Sequence, residues 1–485
     1  MYQSYDGYGR VTQIHHKDTS SGNSLAKLVY GYDKSHQVTS QDKFFYDGSN
    51  NRITTDTVDE GDQYDYDGAK RLVTVLRGVP TAYINDTIAS NISNTRYDDL
   101  VEYVLDQTGN RLTRKIDGSN DKTYAYNVVN EMTTEAGTGL SYYDNGTYKG
   151  PGATNFKYTW DDHLAWWKKS DTLSYTWRYD ALGRQVARVK SGILGSTDIR
   201  IYYDGVEDVE TVTWSSSTET QTRRSVYGES IDELLETTDY DSDPDVDYYA
   251  HADKLGSIVL LADNAGTNQE SYRYTDFGQT TVVDGSFAKL TTLGSNINNW
   301  KRYTGRERAL PATFGDDWYF YRARVYRADA GRFVQRDPVH IDGPNPYVYS
   351  RAAPLNFVDP MGMTTMGTGG AMEYCNSPLP TPEMTTEQKL KALFNSCVCT
   401  CAMMNQSAGD CHDEGMQVQT DEYDKLTKAC DRKHKSKSFW ETLGYDPEYT
   451  TCLANAAVSA AQAGGVAIVD CCKAHCQPIL NGSPP

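Results

Sequence analysis

At 485 residues, the chain is long enough for roughly two to four ordinary domains, or for one extended repeat array followed by a tail. A formal net charge of -19 disfavours binding of nucleic acid through the bulk surface, so no nucleic acid partner is expected. An aromatic content of 12% excludes a largely disordered chain, and 37 tyrosines against 11 phenylalanines favour broad sheets with one wet face.

The amino terminus shows no secretory signal. Residues 1–7 are polar and already match the middle of a repeat, so we expect a fragment or a protein exported by a non-classical route. The longest weakly polar run, residues 453–469, is too short for a transmembrane helix. No membrane span is predicted.

A short motif recurs through the first half of the chain: an aromatic residue and Asp or Asn, a small or polar turn, then polar and apolar residues that alternate. The clearest copies begin at Tyr5-Asp6, Tyr66-Asp67, Tyr126-Asn127 and Tyr179-Asp180. Ring and polar residues alternate over residues 175–179, which is the period of a strand with one covered face. The Asp accepts hydrogen bonds from the turn and the Gly supplies a positive φ, so each copy predicts a hairpin. One hairpin cannot bury its own face, so the copies must join into a continuous sheet.

These copies resemble the YD repeats of RHS and teneurin-like proteins. Motifs that resemble the RHS repeat-associated core follow in family order, at residues 227–233, 251–257, 272–278, 303–307, 321–326, 331–333, 336–338, 345–349 and 359–362. The resemblance spans roughly residues 1–363. It implies a ribbon of strands that spirals into a shell, or partial cocoon, with the core curled inward as a plug.

The predicted fold is therefore mainly β, followed by a small α-helical, disulfide-rich segment. The predicted domains are a YD-repeat β-sheet shell (1–226), an RHS repeat-associated core (227–363), a linker (364–382) and a cysteine-rich, helical, variable C-terminal domain (383–485).

Two carboxylates are candidates for catalysis. Asp337 and Asp359 each precede a proline, and if the core folds back on itself both could face one water molecule. A close pair shares one proton, so one carboxylate acts as a base on water while the other protonates the carbonyl oxygen or the leaving amine. Relatives of the insect-toxin-complex type imply Arg324 as a third site residue, and Met363–Thr364 as the bond that the chain cuts in itself. Alternatively, Asp-Pro-x-Gly is the signature of a type I turn, and Arg324 is a structural partner of these carboxylates.

One histidine, His251, lies in a recognisable motif. Metal or base chemistry there would need a second ligand at a suitable spacing, and structural packing is the favoured interpretation. No cofactor and no metal site are predicted.

All 10 cysteines lie after residue 374. The disulfide candidates are Cys375, Cys397, Cys399, Cys401, Cys411, Cys430, Cys452, Cys471, Cys472 and Cys476. Five disulfides would staple a small helical domain in an oxidising compartment. A thiolate metal cluster around residues 397–401, with His475 as a further ligand, is the alternative.

We expect a secreted or cell-surface toxin-like protein of bacterial competition. Its shell presents or encapsulates its own C-terminal segment as cargo, and aspartyl-type autoproteolysis at Met363–Thr364 is the one enzymatic activity predicted. Two alternatives stay open. One is a non-cleaving structural or adhesive surface protein that binds carbohydrate or protein partners, and the other is a truncated remnant of a larger RHS protein.

Overall fold

The described part of the chain is a long meander of antiparallel strands. A computed structural model describes residues 1–367 except 54–60, 152–154, 194, 243, 291–293, 311–316 and 340–341. These residues belong to one compact unit, Met1–Thr368. Most of the predicted linker, the predicted helical domain and all of the disulfide candidates lie outside the described residues.

The first sheet has twelve strands in chain order. They are β1 (Tyr2–Tyr5), β2 (Val11–Lys17), β3 (Ser24–Tyr32), β4 (Val38–Phe45), β5 (Gly61–Tyr66), β6 (Leu72–Val79), β7 (Asp99–Leu105), β8 (Arg111–Ile116), β9 (Ser119–Tyr126), β10 (Met132–Glu135), β11 (Thr138–Tyr142) and β12 (Tyr148–Pro151). A short helix, α1 (Ile88–Ser93), precedes β7.

The second sheet also has twelve strands in chain order. They are β13 (Phe156–Tyr158), β14 (Leu164–Ser170), β15 (Leu173–Tyr179), β16 (Gln185–Gly192), β17 (Gly195–Asp204), β18 (Glu207–Ser215), β19 (Thr218–Tyr227), β20 (Leu234–Asp239), β21 (Val246–Ala252), β22 (Ile258–Ala262), β23 (Asn268–Tyr274) and β24 (Thr280–Asp284). The sheet runs through the predicted boundary at 226/227 and ends at Asp284.

Two small sheets complete the described chain. The first, which we call the core sheet, has four strands: β25 (Glu307–Arg308), β26 (Trp318–Tyr321), β27 (Arg324–Arg327) and β28 (Arg332–Phe333). The second pairs β29 (Phe357–Val358) with β30 (Met366–Gly367). The predicted mainly-β class is confirmed.

An aspartate turn joins many neighbouring strands of the two large sheets. Asp67 Oδ1 accepts hydrogen bonds from the backbone N–H groups of Ala69 and Arg71, both at 2.9 Å, and Asp67 Oδ2 accepts one from Arg71 Nε at 2.7 Å. Arg71 also donates to the carbonyl oxygen of Asp106 in a neighbouring turn, at 2.6 Å. Equivalent contacts recur at Asp6 with Arg10 and at Asp180 with Arg184. Each such turn is thereby closed internally and tied to another turn.

The tyrosine at or next to the end of a strand also has a recurrent partner. Its hydroxyl donates a hydrogen bond to a backbone carbonyl at or near the start of a preceding strand in the same sheet. Examples are Tyr32 to Val11, Tyr66 to Val38, Tyr126 to Arg111, Tyr179 to Leu164, Tyr203 to Gln185 and Tyr274 to Ile258, at 2.6–2.9 Å. Each bond therefore braces strands of one sheet through a side chain as well as through the backbone ladder.

The two large sheets pack against each other through apolar faces. One buried cluster joins Ile14, Leu28 and Val75 of the first sheet with Leu260 and Val283 of β22 and β24. Burial of this apolar area is the main stabilising term between strands that are far apart in the chain.

The core sheet is buried at every residue and contacts both large sheets. Arg327 pairs with Glu135 of β10 at 2.9 Å, and Glu307 pairs with Arg188 of β16 at 2.9 Å. Its aromatic cluster consists of Tyr303, Tyr319, Tyr321, Tyr326, Phe333 and Tyr349. Over the described ranges, no helix is long and apolar enough to cross a bilayer.

Candidate functional site

The three predicted site residues come from separate elements that meet beside the core sheet. Arg324 begins β27, Asp337 follows β28, and Asp359 comes directly after β29. The backbone N–H of Asp337 donates to the Pro346 carbonyl oxygen at 2.8 Å, which fixes the chain after β28. Arg324, Asp337 and Asp359 are only 2%, 3% and 1% exposed, so bulk water does not screen their charges strongly.

Arg324 lies between the two carboxylates. Its Nη2 is 3.0 Å from Asp359 Oδ2 and 3.7 Å from Asp337 Oδ2. Its other nitrogens donate to the carbonyl oxygens of Gly362, at 2.5 Å, and Pro346, at 3.1 Å. The structure therefore brings Asp337 and Asp359 to one guanidinium nitrogen, as a shared site requires.

Asp359 contacts the nitrogen of the Met363–Thr364 peptide bond and the backbone nitrogen just before it. Its Oδ1 accepts hydrogen bonds from the backbone N–H of Met363 at 2.9 Å and from that of Thr364 at 3.0 Å. The nitrogen of Thr364 is the atom that would leave as an amine if this bond were hydrolysed. In this geometry the N–H of Thr364 points at Asp359, so the nitrogen must first turn its hydrogen aside before the carboxyl group, 3.0 Å away, can pass it a proton.

The turn interpretation of Asp359 is also seen in the geometry. The backbone N–H of Gly362 donates to the Asp359 carbonyl oxygen at 3.1 Å, which closes an Asp-Pro-Met-Gly turn. The Asp359 side chain accepts hydrogen bonds from different backbone positions than the aspartates of the hairpin turns do. Asp67 accepts from the second and fourth residues after it, whereas Asp359 accepts from the fourth and fifth. Asp359 therefore forms a turn and also reaches the peptide bond beyond it.

Burial is the largest influence on the Asp359 carboxyl, and it raises the pKa. The charge of Arg324 and the two backbone N–H groups lower the pKa, while the negative charge of Asp342 raises it, and the net shift is upward. A raised pKa increases the fraction of Asp359 that is protonated near neutral pH. That is the form a general acid needs.

The backbone before the candidate bond is tightly confined at Gly362. This residue has a φ of +65°, and a Cβ at this position would collide with the carbonyl oxygen of Tyr321. The N–H of Ala323 also donates to the Met361 carbonyl oxygen at 3.2 Å. Only glycine fits here, and the turn is fastened to β26 and β27.

Two further residues at the site were missed by the sequence analysis. Asp342 Oδ2 accepts hydrogen bonds from both the backbone N–H and the hydroxyl of Thr365, each at 2.7 Å. Asp342 precedes Gly-Pro-Asn-Pro, so its sequence context indicates a turn and gives no separate sign of a contact 23 residues away.

His251 lies elsewhere in the fold. Its Nδ1 is 3.2 Å from Nδ1 of His16, in β2, and His16 Nε2 is 2.9 Å from the carbonyl oxygen of Ala252. The residue joins β21 to β2, which agrees with the packing interpretation.

No protein-family model matches the chain. Among curated proteins, the chain is similar to the tRNA3(Ser)-specific nuclease WapA of Bacillus spizizenii, with 28% identity over 276 residues, and to the tRNA nuclease WapA of Bacillus subtilis, with 27% identity over 275 residues. Each alignment covers 54% of this chain but only 11% of the relative, so the chain spans about a tenth of the length of these proteins.

The fold is similar to that of solved toxin-complex structures. TcdB2-TccC3 aligns with a TM-score of 0.55 and 18% identity, over 74% of this chain and 18% of that chain. The Photorhabdus luminescens Tc holotoxin pore with the TccC3-D651A mutation aligns with a TM-score of 0.53 and 18% identity, over the same shares of each chain. The chain thus has the β-rich fold of part of the TcdB2-TccC3 toxin complex, together with sequence similarity to the WapA nucleases.

Proposed function

We propose that this chain is an RHS-type shell-and-core protein that carries its C-terminal residues as an effector-like cargo and cuts the Met363–Thr364 bond within its own core. The observation that supports cleavage most strongly is the position of Asp359, with one carboxylate oxygen 3.0 Å from the nitrogen of that bond and 2.9 Å from the preceding backbone nitrogen. Asp337, which lies near the same Arg324 nitrogen as Asp359, is the second carboxylate that hydrolysis needs.

In the proposed reaction, Asp337 takes a proton from a water molecule, whose oxygen attacks the Met363 carbonyl carbon. Asp359, protonated at the start, gives its proton to the Thr364 nitrogen as the C–N bond breaks. The products are the Met363 carboxyl group and the Thr364 amine. One proton leaves Asp359 and one arrives at Asp337, so the pair still has one proton after the cut.

The comparisons support the carrier role at a coarser level. The relatives are named as nucleases and toxin complexes, and the fold alignment covers 74% of this chain. We do not propose tRNA cleavage for this chain, because the aligned segment covers only 11% of the length of the WapA protein. We propose a secreted or cell-surface location for the carrier, with its own C-terminal segment as its first partner.

A chain with tags at both ends tests cleavage directly. We expect wild type to give two fragments on a denaturing gel, and Asp337→Asn and Asp359→Asn to stay full length because each removes one proton-transfer group. Asp67→Asn is the matched control, since it alters a turn carboxylate that accepts hydrogen bonds from Ala69 and Arg71 and none from the site, and it should be cut like wild type. The proposal would be refuted if the wild-type chain stays full length, or if both site variants are cut as completely as wild type.

A further inference from the structure

Thr365, the second residue after the candidate bond, is bound by the partly buried carboxylate of Asp342. Its backbone N–H and its hydroxyl both donate to Asp342 Oδ2 at 2.7 Å, and Thr365 is only 2% exposed. The other oxygen of Asp342 is 3.6 Å from the Arg351 guanidinium, which keeps the carboxylate oriented.

The next two residues are fixed by strand pairing. Met366 lies opposite Val358 and Gly367 lies opposite Phe357 in the two-stranded sheet of β29 and β30. Because β29 leads directly into Asp359, the segment after the bond is aligned with the strand that presents this carboxyl.

The segment before the bond is restrained independently. Arg324 donates to the Gly362 carbonyl oxygen at 2.5 Å, and Ala323 donates to that of Met361. The Met363–Thr364 peptide therefore lies between two fixed points, one based on Arg324 and the other on Asp342.

We propose that Asp342 is a positioning residue for self-cleavage and that Thr365 is a specificity determinant, since Asp342 selects a hydroxyl at the second position after the cut. This inference rests on the proposed function. Its physical basis is that a misplacement of about 1 Å in the reacting groups can slow a reaction roughly a hundredfold. The contact between Asp342 and Thr365 should therefore affect the cleavage rate more than it affects the stability of the fold.

The charge of Asp342 gives a second, separable effect. The titratable groups that act on Asp359 are Arg324, Asp342 and the Tyr349 hydroxyl, with Asp337 on the far side of Arg324. Replacing Asp342 by Asn removes a negative charge that raises the pKa of Asp359. The rate requires protonated Asp359, so its decline on the alkaline side should begin at a lower pH in this variant.

The test is the rate of self-cleavage of the full chain after cell-free synthesis, measured between about pH 5 and pH 8. We expect Thr365→Val to slow cleavage about tenfold or more, because it keeps the shape and loses the hydroxyl, and Thr365→Ser to stay within about twofold of wild type. Asp342→Asn should be slow and show the pH shift. Urea midpoints of the same variants in an uncleavable Asp359→Asn background separate slow cleavage from loss of folding.

The outcomes distinguish this inference from the function on which it rests. If wild type is cut and Thr365→Val is cut equally fast, the positioning role is wrong while self-cleavage stands. If Thr365→Ser is as slow as Thr365→Val, selection of the hydroxyl is wrong. If wild type is never cut, both proposals fall.

Discussion

Tyr179 ends β15, and its hydroxyl donates a 2.7 Å hydrogen bond to the carbonyl oxygen of Leu164 at the start of β14. Phenylalanine would fill the same space but would leave that carbonyl without this donor. The recurrence of such bonds accounts for part of the excess of tyrosine, 37 residues against 11 phenylalanines. The sequence indicates tyrosine rings with the hydroxyl at the edge of a buried face. It does not indicate which carbonyl the hydroxyl bonds, because that carbonyl lies in another strand.

Replacing Tyr179 by Phe should destabilise the protein by about 1 kcal/mol, the net contribution of one hydrogen bond with a partly buried acceptor. The measurement is the shift of the urea midpoint at unchanged slope. Tyr202→Phe is the matched control, because the Tyr202 ring is 44% exposed and its hydroxyl contacts Glu219 at the surface. A shift no larger for Tyr179→Phe than for Tyr202→Phe would contradict the bracing role.

The candidate site was partly predictable at this scale. Motif positions indicate Asp337, Asp359 and Arg324, and the structure brings the three side chains together. Asp342 was not chosen because an Asp before Gly-Pro indicates a turn, and its contact with Thr365 depends on how the core folds back.

At the scale of elements, the hairpins were the most predictable feature. Gly9 and Gly183 have the predicted positive φ, 75° at each, and β15 ends at Tyr179 with β16 beginning directly after Arg184. The turn chemistry is local, so a short motif specifies it. Asp253 is an exception: its carboxylate accepts the same two turn hydrogen bonds, although residues 251–257 resemble a motif of the RHS repeat-associated core and not a YD repeat.

The contact between β2 and β21 predicts a dependence on pH. Burial lowers the pKa of His16 to about 4 and that of His251 to about 3. The unfolded chain binds these protons near pH 6.5 and the folded chain does not, so stability is lost as the pH falls below about 6.5. The loss should be on the order of 2 kcal/mol per histidine at about pH 4.5.

A double variant, His16→Gln with His251→Gln, should lose less stability than wild type between about pH 7 and pH 4.5, as measured by chemical unfolding at each pH. The exposed His36→Gln variant is the control and should retain the wild-type slope. Equal slopes for all three proteins would show that the pair does not couple folding to protons.

At the scale of the whole molecule, contacts between strands far apart in the chain cannot be predicted from the alternation of polar and apolar residues. Arg77 of β6 pairs with Asp276 at 2.6 Å, and Tyr103 of β7 donates a hydrogen bond to the same carboxylate. Alternation shows which face of a strand is buried, but not which strand covers it. The mainly-β class was therefore predictable, whereas the packing of the first sheet against β22–β24 required the structure.

The most direct test of self-cleavage is the intact mass of the purified chain after denaturation and reduction, beside that of Asp337→Asn. We expect two wild-type fragments whose ends meet between Met363 and Thr364 and whose masses sum to that of the full chain plus one water, and one full-length mass for the variant. A single full-length mass for wild type, or fragments that meet at another bond, would contradict it.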